Sequence, residues 1–315
     1  MSGPGASLDG LLLAEKGGGV TSFQVVAHLR RVLRVPKVGH GGTLDPMATG
    51  VLPILLGQAT KLTPYFQAED KEYVATIRLG VSTDTLDATG RVTAERPVPA
   101  LDTDAIRATL ARFEGEIEQV PPMFSALHAG GRRLHELARA GIEVARAPRR
   151  VRIDTLELLE WALPRLRVRV ACGKGTYIRS LAADLGAALG CGACLEALER
   201  TRLGPFSLTD AVPWPLIRSG DTAALAARVL PADRAVVHLP AVRLEEAAAR
   251  RLMRGQRLTP EDLAPPSSLA LAGATGACRL YAGDTFFGIG EAGAGGVRAL
   301  RLLYADHPRS RPVSR

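Results

Sequence analysis

The chain is poor in cysteine, lysine and aromatic residues, and it has no long apolar run. Its only cysteines are Cys172, Cys191, Cys194 and Cys278. Cys191 and Cys194 form a C-x-x-C, but a structural zinc needs about four suitably spaced ligands, and no second C-x-x-C or H-x-x-x-H follows. Reduced, buried thiols and no metal are expected. No stretch reaches the roughly 20 apolar residues of a membrane span. Met1 to Lys16 has no basic segment leading into an apolar stretch and a small-residue cleavage site. That argues against a secretory signal and for a cytoplasmic protein. Lysine occurs only at 16, 37, 61, 71 and 174, so arginine supplies the other 35 basic residues.

What is present points to a globular, basic chain. Its 315 residues suit one large domain plus a small one, and 46% hydrophobic content can bury a sizeable core. The formal net charge is +8 and the pI about 9.7. Guanidinium groups bind phosphate bidentately and stack on bases, which tilts the expectation toward a nucleic-acid partner.

Periodicity supplies the elements. Phe23, Val26, Leu29 and Leu33 recur at helical spacing over Ser22–Arg34, behind a Thr21 or Ser22 cap. Tyr73, Ala75, Ile77 and Leu79 share one face of a strand over Glu72–Gly80. Asp102–Phe113 reads as an amphipathic helix. Val151–Gly173 reads as two long strands joined around Pro164, with Leu166, Val168 and Val170 alternating with Arg165, Arg167 and Arg169. Thr176–Leu189 is a helix whose stripe is Ile178, Leu181, Ala182 and Leu185. The mixture lacks regular β-α-β alternation, so an α+β fold around a mostly antiparallel, mixed sheet with flanking helices is expected. Pro121–Arg152 carries seven arginines against two acids and is broken by glycine, a basic excursion from the sheet. Beyond the Pro/Ala-rich stretch near 231–240, a short helix (Leu244–Met253) and strands near Leu269, Cys278 and Phe286 suggest a small, mainly β domain. The expected division is 1–235 and 236–315.

Two nucleotide-binding readings fail. Gly288-Ile289-Gly290-Glu291-Ala292-Gly293 fits G-x-G-x-x-G, but no helix and no acid follow as a dinucleotide fold requires, so a β-turn is expected. Gly173-Lys174-Gly175-Thr176 has Val168 where a phosphate loop needs its first glycine, and Gly175 in place of the hydroxyl residue. The informative segment is Val38–Pro53. An Asp-Pro alone is commonly a turn, but here glycines flank Thr43-Leu44-Asp45-Pro46, a histidine precedes it, and an apolar anchor follows.

Gly39-His40-Gly41-Gly42-Thr43-Leu44-Asp45-Pro46, with Ala48-Thr49-Gly50-Val51-Leu52-Pro53, closely resembles the signature of the TruB family of tRNA pseudouridine-55 synthases. Lys71-Glu72-Tyr73, Thr83–Gly90, Lys174–Leu181 and Leu198-Glu199-Arg200-Thr201 follow in the family's order. The resemblance spans about Leu11 to Leu208, and the C-terminal piece looks like a PUA-type RNA-binding domain. It implies the pseudouridine synthase fold and an isomerase that converts a T-arm uridine of tRNA on a flipped-out base, with no cofactor. Asp45 is then the catalytic carboxylate, paired with Arg179, and Tyr73 stacks on the base near the reacting carbons. His40 is implied to hold the disrupted RNA loop, with Tyr177 and Leu198 lining the uridine pocket and Asp87 among the substrate-binding residues. The basic excursion becomes an RNA-gripping arm. One departure stands out: where the family has Lys-Pro, Lys16 is followed by Gly17-Gly18-Gly19, which leaves the role of Lys16 open.

Other readings make different demands. A guide-RNA-dependent relative would need partner proteins; the long arm and the lack of extended tails favour a standalone monomer with tRNA as its partner. An RNA-folding protein would keep its role without Asp45. A metal-dependent hydrolase on Asp45, Asp84 and Asp87 lacks a ligand constellation.

Overall fold

The computed structural model describes residues 8–66, 70–125, 127–129, 131–263 and 276–304. The strands are β1 (Gly10–Lys16), β2 (Val38–His40), β3 (Thr49–Leu56), β4 (Lys71–Leu79), β5 (Val81–Thr83), β6 (Val92–Glu95), β7 (Gly115–Gln119), β8 (His128–Ala129), β9 (Arg132–Arg133), β10 (Arg149–Ala162), β11 (Arg165–Cys172), β12 (Ala193–Leu203) and β13 (Phe206–Ser207). Four more, β14 (Ala241–Leu244), β15 (Gly276–Ala282), β16 (Thr285–Gly293) and β17 (Gly296–Leu302), form a separate sheet. The helices are α1 (Ser22–Val32), α2 (Thr103–Ala111), α3 (Leu134–Arg139), α4 (Ile178–Ala188), α5 (Trp214–Ser219), α6 (Thr222–Ala226) and α7 (Glu246–Met253). Among the described residues, no helix is long and apolar enough to cross a membrane.

The main sheet runs β1-β3-β12-β4-β11-β10-β7, with β2 added to β3 and β13 to β12. Its pairings are antiparallel except one. β3 and β12 run parallel and meet at Thr49–Glu199 and Gly50–Arg200. The α+β expectation with a mixed, mostly antiparallel sheet is met.

β1 and β3 are buried on both faces, so they read as continuous apolar runs rather than alternating ones. Leu12, Ala14, Leu52 and Ile54 join a core beneath α1, α2 and α4, which contribute Val26, Leu29, Ile106, Leu110, Leu181 and Leu185. Leu11, Leu13, Val51 and Leu55 face the other way. They pack with Phe206, Val236 and, from the C-terminal sheet, Ile289 and Leu303. The Lys61 amine locks this seam by donating to the Leu302 and Leu303 carbonyls at 3.0 and 2.9 Å. The C-terminal sheet closes its own core around Val242, Leu252, Leu280, Phe287 and Val297.

Several local expectations change in three dimensions. In α1, Thr21 is the cap and completes a capping box with Gln24. The buried stripe uses Val25 beside Val26 and Leu29, whereas Phe23 is 71% exposed. Gly288–Gly293 lies inside β16, and the turn falls at Ala294-Gly295. A Cβ on Gly288 would sit 2.4 Å from the Arg301 carbonyl oxygen, so these glycines admit the neighbouring strand rather than a nucleotide. The excursion folds into the β8–β9 hairpin and α3, with Leu134 and Leu137 buried, and Arg149, Arg150 and Arg152 already belong to β10. Leu244 ends β14 rather than opening the C-terminal helix, and the strand expected near Leu269 lies outside the described residues.

The arginines of β11 are matched across the sheet's exposed face. Arg165 pairs with Glu196, Arg167 with Glu160 and Arg169 with Glu157, at 2.6 to 2.7 Å. Their alternation serves sheet pairing, a role the net charge could not distinguish from phosphate binding. All four cysteines are buried and unbridged.

Candidate active site

A cavity of about 850 Å³ opens where β2, the loop after it, β4 and β12 meet the N-termini of α1 and α4. Its walls include Thr21, Phe23, His40, Asp45, Tyr73, Asp87, Tyr177, Arg179 and Leu198. Every site residue expected from the sequence therefore lines one cleft, although they come from five separate segments of chain.

Asp45 sits on the loop between β2 and β3, its side chain 35% exposed. The Arg179 Nε lies 2.9 Å from Asp45 Oδ2, and its Nη2 lies 3.3 Å from Oδ1. Arg179 itself is 4% exposed. The rest of its guanidinium donates to the Phe124 carbonyl at 2.7 Å and the Thr85 carbonyl at 3.1 Å. Burying an arginine demands such partners, because an unpaired charge in a low-dielectric interior is costly. The fork is thereby held in one orientation, and so is the carboxylate it grips.

Asp87 lies behind this pair, with Oδ2 3.8 Å from Arg179 Nη1. Its Oδ1 accepts from the Thr85 hydroxyl, the Thr89 hydroxyl and the Thr89 amide at 2.8, 2.6 and 3.0 Å. Asp87 thus builds its own turn and backs Arg179, leaving little of the carboxylate for a ligand.

Tyr73 and Arg200 face each other across the β4–β12 ladder, and Ala75 faces Leu198 beside them. The pleat puts all four on the face that looks into the cleft and core. Burial pushes the Tyr73 hydroxyl pKa up, against the opposing pull of the nearby Arg200 guanidinium. Burial and the nearby Arg200 both lower the His40 pKa, so His40 is neutral at physiological pH. Tyr177 precedes the first turn of α4, which has no side-chain cap of its own. Gln119, at the end of β7, substitutes by accepting the Tyr177 amide at 2.7 Å.

Sequence reasoning assigned no role to Arg200 and left Lys16 open, yet these are the two largest fully buried side chains among the described residues. Both grip the loop that carries Asp45 by its backbone. Arg200 donates to the Gly42, Thr43 and Val51 carbonyls at 3.2, 3.3 and 2.9 Å. Lys16 donates to the Gly17, Val20 and Pro46 carbonyls at 2.9, 2.7 and 3.0 Å. Burial lowers the Lys16 pKa to about 8, against the opposing pull of Asp45. Gly50 permits this closeness: its φ is +108°, and an added Cβ would lie 2.2 Å from the Arg200 carbonyl oxygen. The signal available in sequence was a lone lysine ending an apolar strand and an arginine in a resembling block. Neither reveals burial.

A carboxylate fixed against a buried guanidinium, beside a tyrosine and an apolar wall, suits covalent or acid–base work at an uncharged ring. The fold as a whole is similar to that of chains solved in RNA–protein assemblies. The fold superposes on "Crystal Structure of a Cbf5-Nop10-Gar1 Complex" with a TM-score of 0.70 and 27% identity, covering 94% of this chain and 85% of that one. A second neighbour, "Structure of H/ACA RNP bound to a substrate RNA containing 2'-deoxyuridine", gives 0.69 and 26%, over 94% and 86%. The class these define is the pseudouridine synthases.

The family follows from sequence comparison. A family model described as "TruB family pseudouridylate synthase (N terminal domain)" matches residues 30–178, and "tRNA pseudouridylate synthase B C-terminal domain" matches 179–237. "Pseudouridine synthase II TruB, C-terminal" matches 240–303. Proteins named tRNA pseudouridine synthase B are similar throughout. The one from Azoarcus sp. is 44% identical over 95% of this chain and 96% of its own. That from Thiobacillus denitrificans is 47% identical over 94% and 96%. The chain belongs to the TruB family of pseudouridine synthases, and it is an isomerase of that class.

Proposed function

We propose that this enzyme isomerises the uridine at the position-55 site in the T-arm loop of tRNA to pseudouridine, acting alone in the cytoplasm as a monomer without a cofactor. The observation that carries the reading is the Asp45 carboxylate, held by Arg179 in a cleft walled by Tyr73 and Leu198. The reaction breaks N1–C1′, turns the base and joins C5 to C1′; the C5 proton departs, and N1 ends protonated. No electrons and no external groups are exchanged, so a carboxylate suffices as the covalent participant.

The target base is extruded into the cleft. Asp45 attacks it or its sugar, and Arg179 holds the attacking oxygens in line. Tyr73 stacks on the base and takes part in proton transfer only in a concerted step, since a phenol with a raised pKa is a poor free base at pH 7. Leu198 and Tyr177 shape the uridine pocket, His40 supports the opened loop as a neutral ring, and Asp87 acts on substrate through Arg179. The arm over 121–152 closes on the RNA, and residues 236–315 form a PUA-like domain that holds a more distant part of it, with 1–235 as the catalytic unit.

The test is tritium release from tRNA labelled at uridine C5, in EDTA, with purified wild type and Asp45→Asn. Release by wild type alone is expected, mapped to the single T-arm uridine. Release by Asp45→Asn at the wild-type rate, or dependence on a guide RNA or partner protein, would overturn the proposal.

A further inference from the structure

Phe23 is the most exposed large apolar side chain among the described residues, in a chain with 14 aromatics in 315 residues. It occupies the first turn of α1, off the Val25, Val26, Leu29 stripe that faces the core. A solvent-facing helical position of this kind asks for nothing apolar. Phe23 nonetheless lines the mouth of the cleft that holds Asp45, Tyr73 and Arg179. It is also rigidly placed there. The Ser22 hydroxyl accepts from the Leu44 amide at 3.0 Å and reaches the Leu44 carbonyl at 3.3 Å. The turn that carries Phe23 is thus tied to the loop that carries Asp45.

The cavity, at about 850 Å³, lies near the top of the roughly 300–1,000 Å³ range of ligand pockets. Of its lining residues Tyr73, Ile178 and Leu198 are buried, His40 is half-buried, and Thr21 and Phe23 are exposed, which puts Phe23 at the rim. An RNA strand that delivers one base to the inner part must unstack the neighbours of that base. Unstacked bases are recognised by stacking on aromatic faces. A protein partner fits the rim less well, because the other exposed apolar side chains (Val92, Val120, Ile142, Trp161, Leu163 and Leu300) do not line this cleft. One isolated ring makes no protein-docking patch.

Resting on the reading of the site given above, we infer that Phe23 is a stacking platform for an unpaired base adjacent to the target uridine. The ring takes up the stacking that the base loses when the target is extruded. It thereby favours RNA loops in which that neighbour is free to turn out.

The experiment compares wild type, Phe23→Ala and Phe23→Trp in C5-tritium release from a T-arm hairpin RNA. In parallel, 2-aminopurine replaces each nucleotide flanking the target, and its fluorescence is read on binding to the Asp45→Asn protein with and without Phe23→Ala. Phe23→Ala is expected to raise KM about 5- to 150-fold, the equivalent of one stacked base, with a smaller effect on kcat. Phe23→Trp is expected to stay near wild type, and the probe at one flanking position is expected to change its signal only when Phe23 is present. An unchanged KM with no Phe23-dependent probe signal would overturn the inference while leaving the activity intact. A lowered Tm in Phe23→Ala with unchanged KM would mean that the ring packs on its own chain, which also overturns it. An inactive wild type removes the reading on which the inference rests, and the inference with it.

Discussion

Replacing Lys16 by methionine separates what the buried lysine does for stability from what it does for the catalytic loop. The two side chains are similar in length, so the change removes the charge and the donors without opening a large cavity. Three bonds are lost, to the Gly17, Val20 and Pro46 carbonyls. Pro46 keeps a second donor, the Gly19 amide at 2.9 Å. Two carbonyls lose the lysine, at about 1–3 kcal/mol each. Against this, the ammonium no longer has to be buried. A pKa lowered from 10.5 to about 8 corresponds to about 3 kcal/mol of disfavour for the charged form. The terms largely cancel, leaving a net destabilisation of about 0–3 kcal/mol. Activity should fall further than stability. The loop that presents Asp45 loses one of its two backbone clamps, and a misplacement of about 1 Å can cost roughly 100-fold in rate. Urea unfolding and single-turnover tritium release read the two effects separately. Loss of more than about 5 kcal/mol with a wild-type rate in the folded fraction would refute the argument, as would no change in either.

Lys16 also gives opposite signs to two pH profiles. The folded pKa of about 8 lies below the ordinary value of 10.5. Between these values the unfolded chain holds the proton and the folded chain does not, so the Lys16 contribution to stability rises with pH across about 8 to 10.5. Catalysis should fall over the same limb, because the loop clamp loses its charge beside Asp45. Lys16→Met should lack both limbs, as followed by urea midpoint and rate against pH.

Three further outcomes follow from the fold. Gly50→Ala places a Cβ 2.2 Å from the Arg200 carbonyl at a positive φ, so it should destabilise the protein by several kcal/mol (about 2–4) and lower activity together; an unchanged urea midpoint would contradict this. Arg167→Ala breaks an exposed pair with Glu160 and should change stability by no more than about 1 kcal/mol. It should also leave the salt dependence of tRNA affinity unaltered, which a binding titration at several salt concentrations checks. Lys61→Met removes the two bonds to Leu302 and Leu303; amide exchange over 296–303 should quicken, with slower exchange counting against a clamp.

Period and punctuation carried much of the architecture into the sequence. The faces of β4 and β11 follow directly from alternation, because a pleated strand sends successive side chains to opposite sides. The α4 stripe left Arg179 off the core face, free to meet a carboxylate from elsewhere. The G-x-G-x-x-G stretch was rightly denied a nucleotide but misread as a turn, because glycines that admit a neighbouring strand look the same in sequence as glycines that form a turn. Phe23 misled because an apolar residue at helical spacing reads as core until the helix is docked.

By itself, the sequence determined the family blocks, the α+β class, the strand faces and the identity of the residues that converge on the cleft. Only the tertiary structure decided which cations are buried and what they hold. Arg200 lies at the one parallel junction of the main sheet and Lys16 on the other side of the same Gly50, and each clamps the Asp45 loop through backbone carbonyls. A carbonyl has no residue identity, so a side chain that binds backbone leaves no partner to find in the sequence. The arginines of β11 make the converse case. Their charge is visible in the sequence, but the glutamates that neutralise it become neighbours only once the strands pair.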